Sequence, residues 1–376
     1  MHASHPRFVF LLSLFALLAL APIATCQTIP FAPLPANPLE LVTGNAQALI
    51  EPDQRAAALQ LLDRARQNYN FYAPHAPAFT LKVSFSSSGQ SQYEGSGSME
   101  ETWIGHDDRW SAQFDGISVG RVLHGGAWAE GGASPIPMRV QMARGAILWP
   151  VVYARPRGMI RSANVSYNGM ALTCVLLSGS VSDAPSPRQW VENEYCIDPD
   201  TGLLRIWSEA PGIYVVYDYS DAIHFHGHTI AGQITVTENA SPVLQIHIDS
   251  LEDAGQVDAR MFMPTAEMQA QGPAFLLTSA QRMPLFVPAA SGAMPTMIQP
   301  VIVHATISKD GEVVEEEALQ NSSETLTEKA LDMVKNRKFP PTRAQRVLFE
   351  QSGERISFSM SQRSTSGSRH ALTPNA

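Results

Sequence analysis

The sequence is poor in cysteine, with three residues in 376, and it contains no CxxC or HExxH spacing. Three cysteines cannot build the dense disulfide framework of a small secreted module, and the missing spacings exclude the common zinc motifs. Charged residues are also scarce, at 16%, and acidic residues outnumber basic ones by 35 to 26. Because no block of Lys or Arg occurs, no segment suits the phosphates of nucleic acid. We therefore expect no nucleic-acid partner and no cofactor.

Length and hydrophobic content indicate a folded protein of more than one domain. At roughly 150 residues per domain, a chain of this size corresponds to about two or three domains. Hydrophobic residues make up 44% of the sequence, enough for a sizeable core.

A continuous apolar run, Phe8 to Ala21, follows Arg7 near the start of the chain. This pattern is typical of a secretory signal peptide, whereas an uncleaved membrane anchor needs about 20 apolar residues. We assign residues 1–26 to the signal peptide and expect a periplasmic or cell-envelope location. Ile23 to Thr25, just before Cys26, resembles a bacterial lipobox, so a lipid anchor at Cys26 is the alternative to simple cleavage.

The next segments differ in hydrophobic period. Residues 27–50 form a Pro-rich lead, and the acidic Glu51-Pro52-Asp53 then opens a helix of about 16 residues. Its apolar face consists of Ala58, Leu62, Ala65 and Tyr69. From Phe79 to Met263 the period becomes two, with frequent turn residues, which predicts an antiparallel sheet of hairpins. Met138 to Ala146 is the one helix predicted inside this sheet domain, residues 51–265.

Composition changes again near the C-terminus. Residues 266–300 are rich in Pro, Met, Ala and Gly and are predicted to be a linker. Residues 301–362 are rich in charge and form a second predicted domain, and residues 363–376 a disordered tail. The predicted order in this domain is strand, strand, helix and strand: Val301 to Ile307, Glu312 to Leu319, Thr325 to Asn336 and Arg355 to Met360.

The C-terminal segment resembles the TonB C-terminal domain over residues of about 295–362. The matching residues are the strand and turn Val303 to Val313, the helix Leu326 to Val334, the Lys338-Phe339-Pro340-Pro341 segment and the strand Ile356 to Phe358. The resemblance implies a small α/β module that binds an envelope protein by strand addition. It also leaves a TonB-type energy transducer for outer-membrane transport as an alternative.

The preceding domain, residues of about 52–265, resembles the LolA/LolB-like lipoprotein carriers. The resemblance lies in the order of the opening helix, the strand series and four segments: Trp103 to Trp110, Val122 to Trp128, Cys196 to Leu204 and Asp258 to Pro264. It implies an α+β fold in which a curved antiparallel sheet, a half-barrel, carries a few helices over its concave face. It also implies that an apolar cavity in the domain binds lipid or lipoprotein acyl chains.

Cys174 and Cys196 lie in two predicted strands joined by one loop, so a disulfide between them is expected in an oxidising compartment. Two buried free thiols are the alternative, because a register mismatch would place the sulfurs on opposite faces.

His224, His226 and His228 alternate, so on one strand their imidazoles would share a face about 7 Å apart. That spacing makes them weak candidates for metal ligands, and a solvent-facing strand next to Gly227 is the alternative.

Gly116 to Gly120 satisfies the GxSxG pattern around Ser118, but a nucleophile elbow needs a strand before the serine and a helix after it. No helix pattern follows Ser118, so we propose no catalytic residues and expect a protein that is not an enzyme. Aromatic residues of the sheet domain, among them Phe79, Trp103 and Trp149, are candidates for a ligand cavity, with a plain core as the alternative. An envelope scaffold or sensor without a ligand is therefore the competing function.

Overall fold

The computed structural model of the chain describes residues 46–73, 75–89, 94–132, 136–151, 158–178, 192–210, 212–238, 241–271, 281–285, 301–307, 312–320 and 324–338. The predicted signal peptide, the Cys26 anchor, the closing strand 355–360 and the predicted tail lie outside these residues. None of the described helices is long and apolar enough to cross a membrane.

The first helix, α1 (Pro52–Gln67), has the length that the sequence predicts. Proline in the first turn presets the helical φ, and Asp53 places a negative charge at the positive end of the helix dipole. Leu62 and Ala65 are completely buried, so the predicted apolar face is the one that packs on the sheet.

The second helix, α2 (Met138–Leu148), is buried on several sides. Its buried residues are Met138, Arg139, Val140, Ala143, Ala146, Ile147 and Leu148. These positions surround most of the helix, which is the pattern of an interior helix and not of a surface helix.

Fifteen of the described strands belong to the sheet domain. They are β1 (Gln47–Ala48), β2 (Phe79–Ser87), β3 (Gly95–Ile104), β4 (Asp107–Phe114), β5 (Ile117–His124), β6 (Ala127–Gly132), β7 (Ile160–Tyr167), β8 (Met170–Ser178), β9 (Glu192–Ile197), β10 (Leu204–Ala210), β11 (Ile213–Asp218), β12 (Ile223–Phe225), β13 (His228–Ile230), β14 (Gln233–Glu238) and β15 (Ser241–Asp253). Strands β12 and β13 form a separate hairpin, and the other thirteen form one antiparallel sheet.

The large sheet is open and curved, as the sequence predicts, and it does not close into a barrel. Its strand order is β1-β7-β8-β9-β10-β11-β14-β15-β2-β3-β4-β5-β6. Two hairpin series, β2 to β6 and β7 to β15, are joined by the pairing of β15 with β2. Helix α2 lies in the connection between β6 and β7, so the chain crosses from one end of the sheet to the other through this helix.

The two faces of the sheet differ. On the face covered by α1 and α2, side chains from nearly every strand form the main core, including Phe79, Leu81, Val83, Val175, Leu177, Val215 and Ile246. The opposite face is polar on β2, where Lys82 and Ser86 are exposed. On strands β7 to β11, however, the opposite face forms a second buried cluster, which includes Leu172, Cys174, Leu176, Ile206 and Tyr214.

Further elements follow the large sheet: α3 (Ala266–Gln271), β16 (Gln281–Leu285), β17 (Val301–Ile307), β18 (Val313–Gln320) and α4 (Glu324–Lys335). Helix α3 and strand β16 both lie in the segment predicted to be a linker. Met268 of α3 is buried against Val122 and Ala129 of the sheet.

Strands β16, β17 and β18 form a three-stranded antiparallel sheet, and α4 packs on β17 and β18. We call β16, β17, β18 and α4 the C-terminal module. Its small core consists of Val303, Ala305, Ala318, Ala330 and Val334.

Candidate functional site

The space between α2 and the sheet is the candidate functional site, because it is where the sequence predicts a ligand cavity. It is lined by aromatic side chains from the α1–β2 connection and from the strands. Tyr72 makes edge contacts with Phe79 and Trp103, with ring centroids 5.7 Å apart in both pairs. Phe79 and Trp103 stack at 6.0 Å and are both buried. These rings form one wall of the site.

Trp149 marks the rim of this wall. It directly follows the last residue of α2, stacks on Tyr72 at 5.4 Å and remains 37% exposed. It is one of the few large hydrophobic side chains with that exposure among the described residues. Trp149 therefore presents an exposed aromatic surface at the edge of the wall.

A buried polar cluster lies beside the aromatic wall. Arg144 of α2 donates two hydrogen bonds of 2.7 Å to the carboxylate of Glu101 and one of 3.3 Å to Asp108. Tyr72 donates a hydrogen bond to the same Glu101 carboxylate. The Arg144 guanidinium also lies 4.3 Å from the Trp149 ring centre, a distance that suits a cation–π contact.

Two groups of this cluster have a raised pKa. Burial and the nearby Glu101 carboxylate raise the pKa of Asp108 well above its usual range. Burial, followed by the charge of Glu101, also raises the pKa of Tyr72. Glu101 makes the two short hydrogen bonds to Arg144 and is therefore the main partner of the guanidinium, whereas Asp108 contacts it at 3.3 Å.

Helix α1 closes the other side of the site. Its C-terminal end is fixed by Tyr69, whose hydroxyl lies 3.0 Å from that of Tyr219. Tyr219 in turn donates a hydrogen bond of 2.9 Å to the carbonyl oxygen of Leu204. Arg64 donates a hydrogen bond of 2.9 Å to the carbonyl oxygen of Pro199. These polar contacts and the buried apolar side chains of α1 together hold the helix against the sheet.

Among the described residues, the core side chains under the helices leave little solvent-accessible surface. Side chains on the covered face, such as Val83, Leu244 and Ile246, are almost completely buried. Outside the interior, a shallow depression of about 300 Å³ lies on the hairpin of β3 and β4 and is lined by Ser96, Ser98, Gln113 and Asp115 among others. Its lining mixes polar side chains with Phe114, and it is a surface depression, so it does not match the apolar cavity that the sequence predicts.

The second arginine of α2, Arg139, lies at the other end of the helix in a site that sequence reasoning missed. Its guanidinium donates to Glu238 of β14 at 3.2 Å and to Glu317 of β18 at 2.7 Å. Arg139 is completely buried. Burial, followed by the charge of Glu238, raises the pKa of Glu317 to about 9. The sequence signal for this contact is an arginine among the mostly apolar residues of α2.

Cys174 and Cys196 form the expected disulfide. They lie directly opposite each other on neighbouring strands β8 and β9, and both side chains are fully buried in the second cluster. The register therefore places both sulfurs on the same face.

The three histidines do not share one strand face. His226 and Gly227 form the turn between β12 and β13, so His224 and His228 lie on different strands. Each imidazole has its own partner: Thr229 for His224, Asp253 for His226 and the carbonyl oxygen of Asn68 for His228. Within the described part of the chain, the one group with metal-ligand spacing is Cys174, Glu194 and Cys196, and its two sulfurs are already joined.

Ser118 lies at the start of β5 and bonds to the side chain of Gln113 across the hairpin, at 2.7 Å. The turn before it contains Asp115 and Gly116, and a strand, not a helix, follows it. His124 is at the far end of the same strand, about 20 Å away at the rise of an extended chain. The elements of a nucleophile elbow are therefore not present at Ser118.

Comparison with known proteins gives structural likenesses only. No protein-family model and no curated protein matches the chain. A LolA superfamily protein from Nitrosomonas europaea is 10% identical with a TM-score of 0.35, over 55% of this chain and 97% of its own. A putative outer-membrane lipoprotein-sorting protein domain from Vibrio parahaemolyticus is 9% identical with a TM-score of 0.32, over 54% and 95% of the two chains.

A third likeness is to the Pseudomonas aeruginosa MucA/MucB complex, at 14% identity and a TM-score of 0.25, covering 66% of this chain and 75% of the other. These scores are too low to carry an argument about ligand or partner. None of the three is a TonB C-terminal domain, so the resemblance of residues 295–362 stays a prediction.

Proposed function

We propose that the chain is a non-enzymatic cell-envelope protein whose sheet domain binds an apolar chain, from a lipid or a lipoprotein, between α2 and the open sheet. The observation that carries this proposal is the aromatic wall with its exposed rim, Trp149. Aromatic side chains offer large apolar area, and a half-exposed tryptophan at the edge of a buried site can make way for an incoming chain. The apolar run at Phe8 to Ala21 supports the envelope location.

The binding site is proposed to open by movement of α2. Most side chains that the helix buries against the sheet are apolar, and an acyl chain can replace their contacts. The opening movement is limited to one that keeps the ion pairs of Arg139 and Arg144. The Arg144 cluster fixes the inner limit of the apolar region, because an acyl chain cannot satisfy the ion pair with Glu101. The proposed ligand is therefore a chain that enters at Trp149 and lies along the apolar side of α2.

Native mass spectrometry tests the proposal. The mature protein is expressed in the periplasm and purified without detergent, and its mass is measured before and after lipid extraction. We expect a stoichiometric lipid to co-purify and the extracted protein to take up a fluorescent fatty acid. A mass without lipid, together with no uptake of fatty acid or lipopeptide, would contradict the proposal.

Variants locate the site. Trp149→Ala removes the rim side chain at a partly exposed position, so the fold should tolerate it, and the fatty-acid affinity is expected to fall several-fold. Met333→Ala on α4 is the matched control, since Met333 is 48% exposed and lies in the C-terminal module. An equal loss of affinity in both variants would show that binding is not at the rim.

A scaffold or sensor without a ligand is the second candidate function. The burial of the core side chains favours it, because the described side chains under the helices leave little accessible surface. In that case the C-terminal module alone would recruit an envelope protein, for which the resemblance of residues 295–362 suggests strand addition. The lipid measurement separates the two functions, since only the first requires a bound chain.

A further inference from the structure

Helix α2 receives its N-terminal cap from the C-terminal module. Pro137, which precedes the helix, provides no side-chain cap. Instead, the carboxylate of Glu315 on β18 accepts a hydrogen bond of 2.9 Å from the backbone N–H of Met138. A carboxylate at this position satisfies one of the orphan N–H groups of the helix and interacts favourably with the helix dipole.

Arg139 makes a second connection at the same place. Glu317, two residues after Glu315 on β18, accepts a hydrogen bond of 2.7 Å from its guanidinium. Glu238, which accepts from the other terminal nitrogen, ends strand β14 of the large sheet. One buried guanidinium thus joins α2, the large sheet and the module.

Three acidic residues lie at this contact among the residues that the structure describes. They are Glu238 on β14 and Glu315 and Glu317 on β18, and Thr306 of β17 adds a hydroxyl that donates to Glu315 at 3.4 Å. Burial and the charge of Glu238 raise the pKa of Glu317 to about 9, so this carboxyl keeps its proton at neutral pH. Arg139 then has Glu238 as its charged partner, and Glu315 lies at the positive end of the α2 dipole.

We propose that α2 and the C-terminal module form a latch, in which docking of the module and seating of α2 on the sheet are a single coupled step. When the module leaves, Glu315 and Glu317 leave with it. The N–H of Met138 then loses its cap and Arg139 loses one of its two carboxyl partners, so α2 is held less firmly on the sheet. This inference concerns the two elements alone and does not rest on the proposed ligand.

Hydrogen exchange measured by mass spectrometry on the full chain tests the latch. Glu315→Ala removes the cap, and at one pH it should raise exchange at least tenfold in both 138–148 and 313–320. Exchange in β2, 79–87, should stay unchanged, which shows that the sheet domain remains folded. Glu316→Ala is the matched control, because Glu316 is the adjacent residue and pairs with Lys335 of α4 instead, at 3.7 Å.

Two outcomes would overturn the proposal. The first is faster exchange in residues 313–320 while residues 138–148 exchange at the wild-type rate, since the module would then undock without α2. The second is unchanged exchange in both segments, since the contact would then not hold the module. If Glu315→Ala also loosens β2, Glu315→Gln provides the milder test, because it keeps the oxygen acceptor and removes only the charge.

The reverse experiment uses the reciprocity of coupling. Ala143→Gly weakens α2 itself at a position that packs on the sheet core. Glycine in a helix lowers its stability enough to raise hydrogen exchange in α2 about fivefold. We expect exchange in β18 to rise by a similar factor. If β18 of this variant exchanges at the same rate as in the wild-type protein, the two elements are independent.

Discussion

Arg139 and Glu317 are 178 residues apart in sequence, yet their side chains form a buried hydrogen bond of 2.7 Å. Arg139 lies on the helix that crosses the open sheet, and Glu317 lies on the C-terminal module. Through this bond, the module contacts the element that covers the candidate binding site. A change at either residue should therefore affect both parts of the chain.

Arg139→Met should lower the free energy of unfolding by about 3–5 kcal/mol, the usual cost of removing one partner from a buried ion pair. Glu238 would be left as a buried carboxylate without its cation. Chemical denaturation monitored by tryptophan fluorescence measures this change. The matched control is Arg66→Met, because Arg66 pairs with Asp63 at 2.8 Å on the exposed side of α1 and should change stability by less than about 1 kcal/mol. Similar losses in the two variants would contradict the prediction.

Glu317 should make stability depend on pH. Its pKa is raised to about 9 in the folded protein, so the folded state holds a proton that the unfolded state releases above about pH 4.5. The stabilisation that comes from the proton bound by Glu317 is therefore fully present below about pH 4.5 and is lost as the pH rises towards 9. Over that range the free energy of unfolding falls by at most about 1.4 kcal/mol per pH unit. Glu317→Gln removes this titration and should gain stability relative to wild type from pH 5 to pH 9. The urea midpoints of unfolding of both proteins at pH 5, 7 and 9 measure this difference. A pH dependence of the midpoint that is the same in both proteins would contradict the raised pKa.

Loss of the Cys174–Cys196 disulfide should lower the free energy of unfolding by about 3 kcal/mol, because the bond closes a loop with a sequence separation of 22. The double variant Cys174→Ala, Cys196→Ala measures this loss in denaturant. Alkylation of the denatured wild-type protein without reductant should label neither cysteine. Labelling of both would show that they are free thiols.

Gly97 should not tolerate a methyl group, whereas Gly145 should. A Cβ at Gly97 would collide with the Phe85 ring and lie 2.7 Å from the carbonyl oxygen of Gln113, so Gly97→Ala should cost about 1–3 kcal/mol. Gly145 lies in α2, and a Cβ added there would meet no atom within 4 Å, so Gly145→Ala should gain up to about 1 kcal/mol from helix propensity. Thermal unfolding of the two variants should therefore shift in opposite directions, and a shift in the same direction would be evidence against close packing at Gly97.

Much of the fold could be predicted from local patterns. Alternation along Phe79, Leu81 and Val83 identifies a strand with one buried face, and the spacing of Ala58, Leu62 and Ala65 identifies the buried face of α1. Both signals depend on neighbours in sequence. The α2 helix was also predicted, and the structure extends it by two residues to Leu148.

The candidate site was predicted less completely. The sequence identified aromatic residues such as Phe79, Trp103 and Trp149 as candidates for a cavity, but not that Trp149 lies at the rim. It placed His224, His226 and His228 on one strand, because a two-residue turn at His226 and Gly227 leaves no strong mark in an alternating pattern.

By itself, the sequence determined most strands of the large sheet and the main helices, because these depend on local periodicity. It placed Cys174 and Cys196 on neighbouring strands, and the register of β8 and β9 then decided that they pair. Only the tertiary structure decided which charged residues meet. Arg139, Glu238 and Glu317 come from three distant elements, and no spacing in sequence links them. The pKa of Glu317 follows from that meeting, since burial and a neighbouring carboxylate are properties of the folded arrangement and not of the residue.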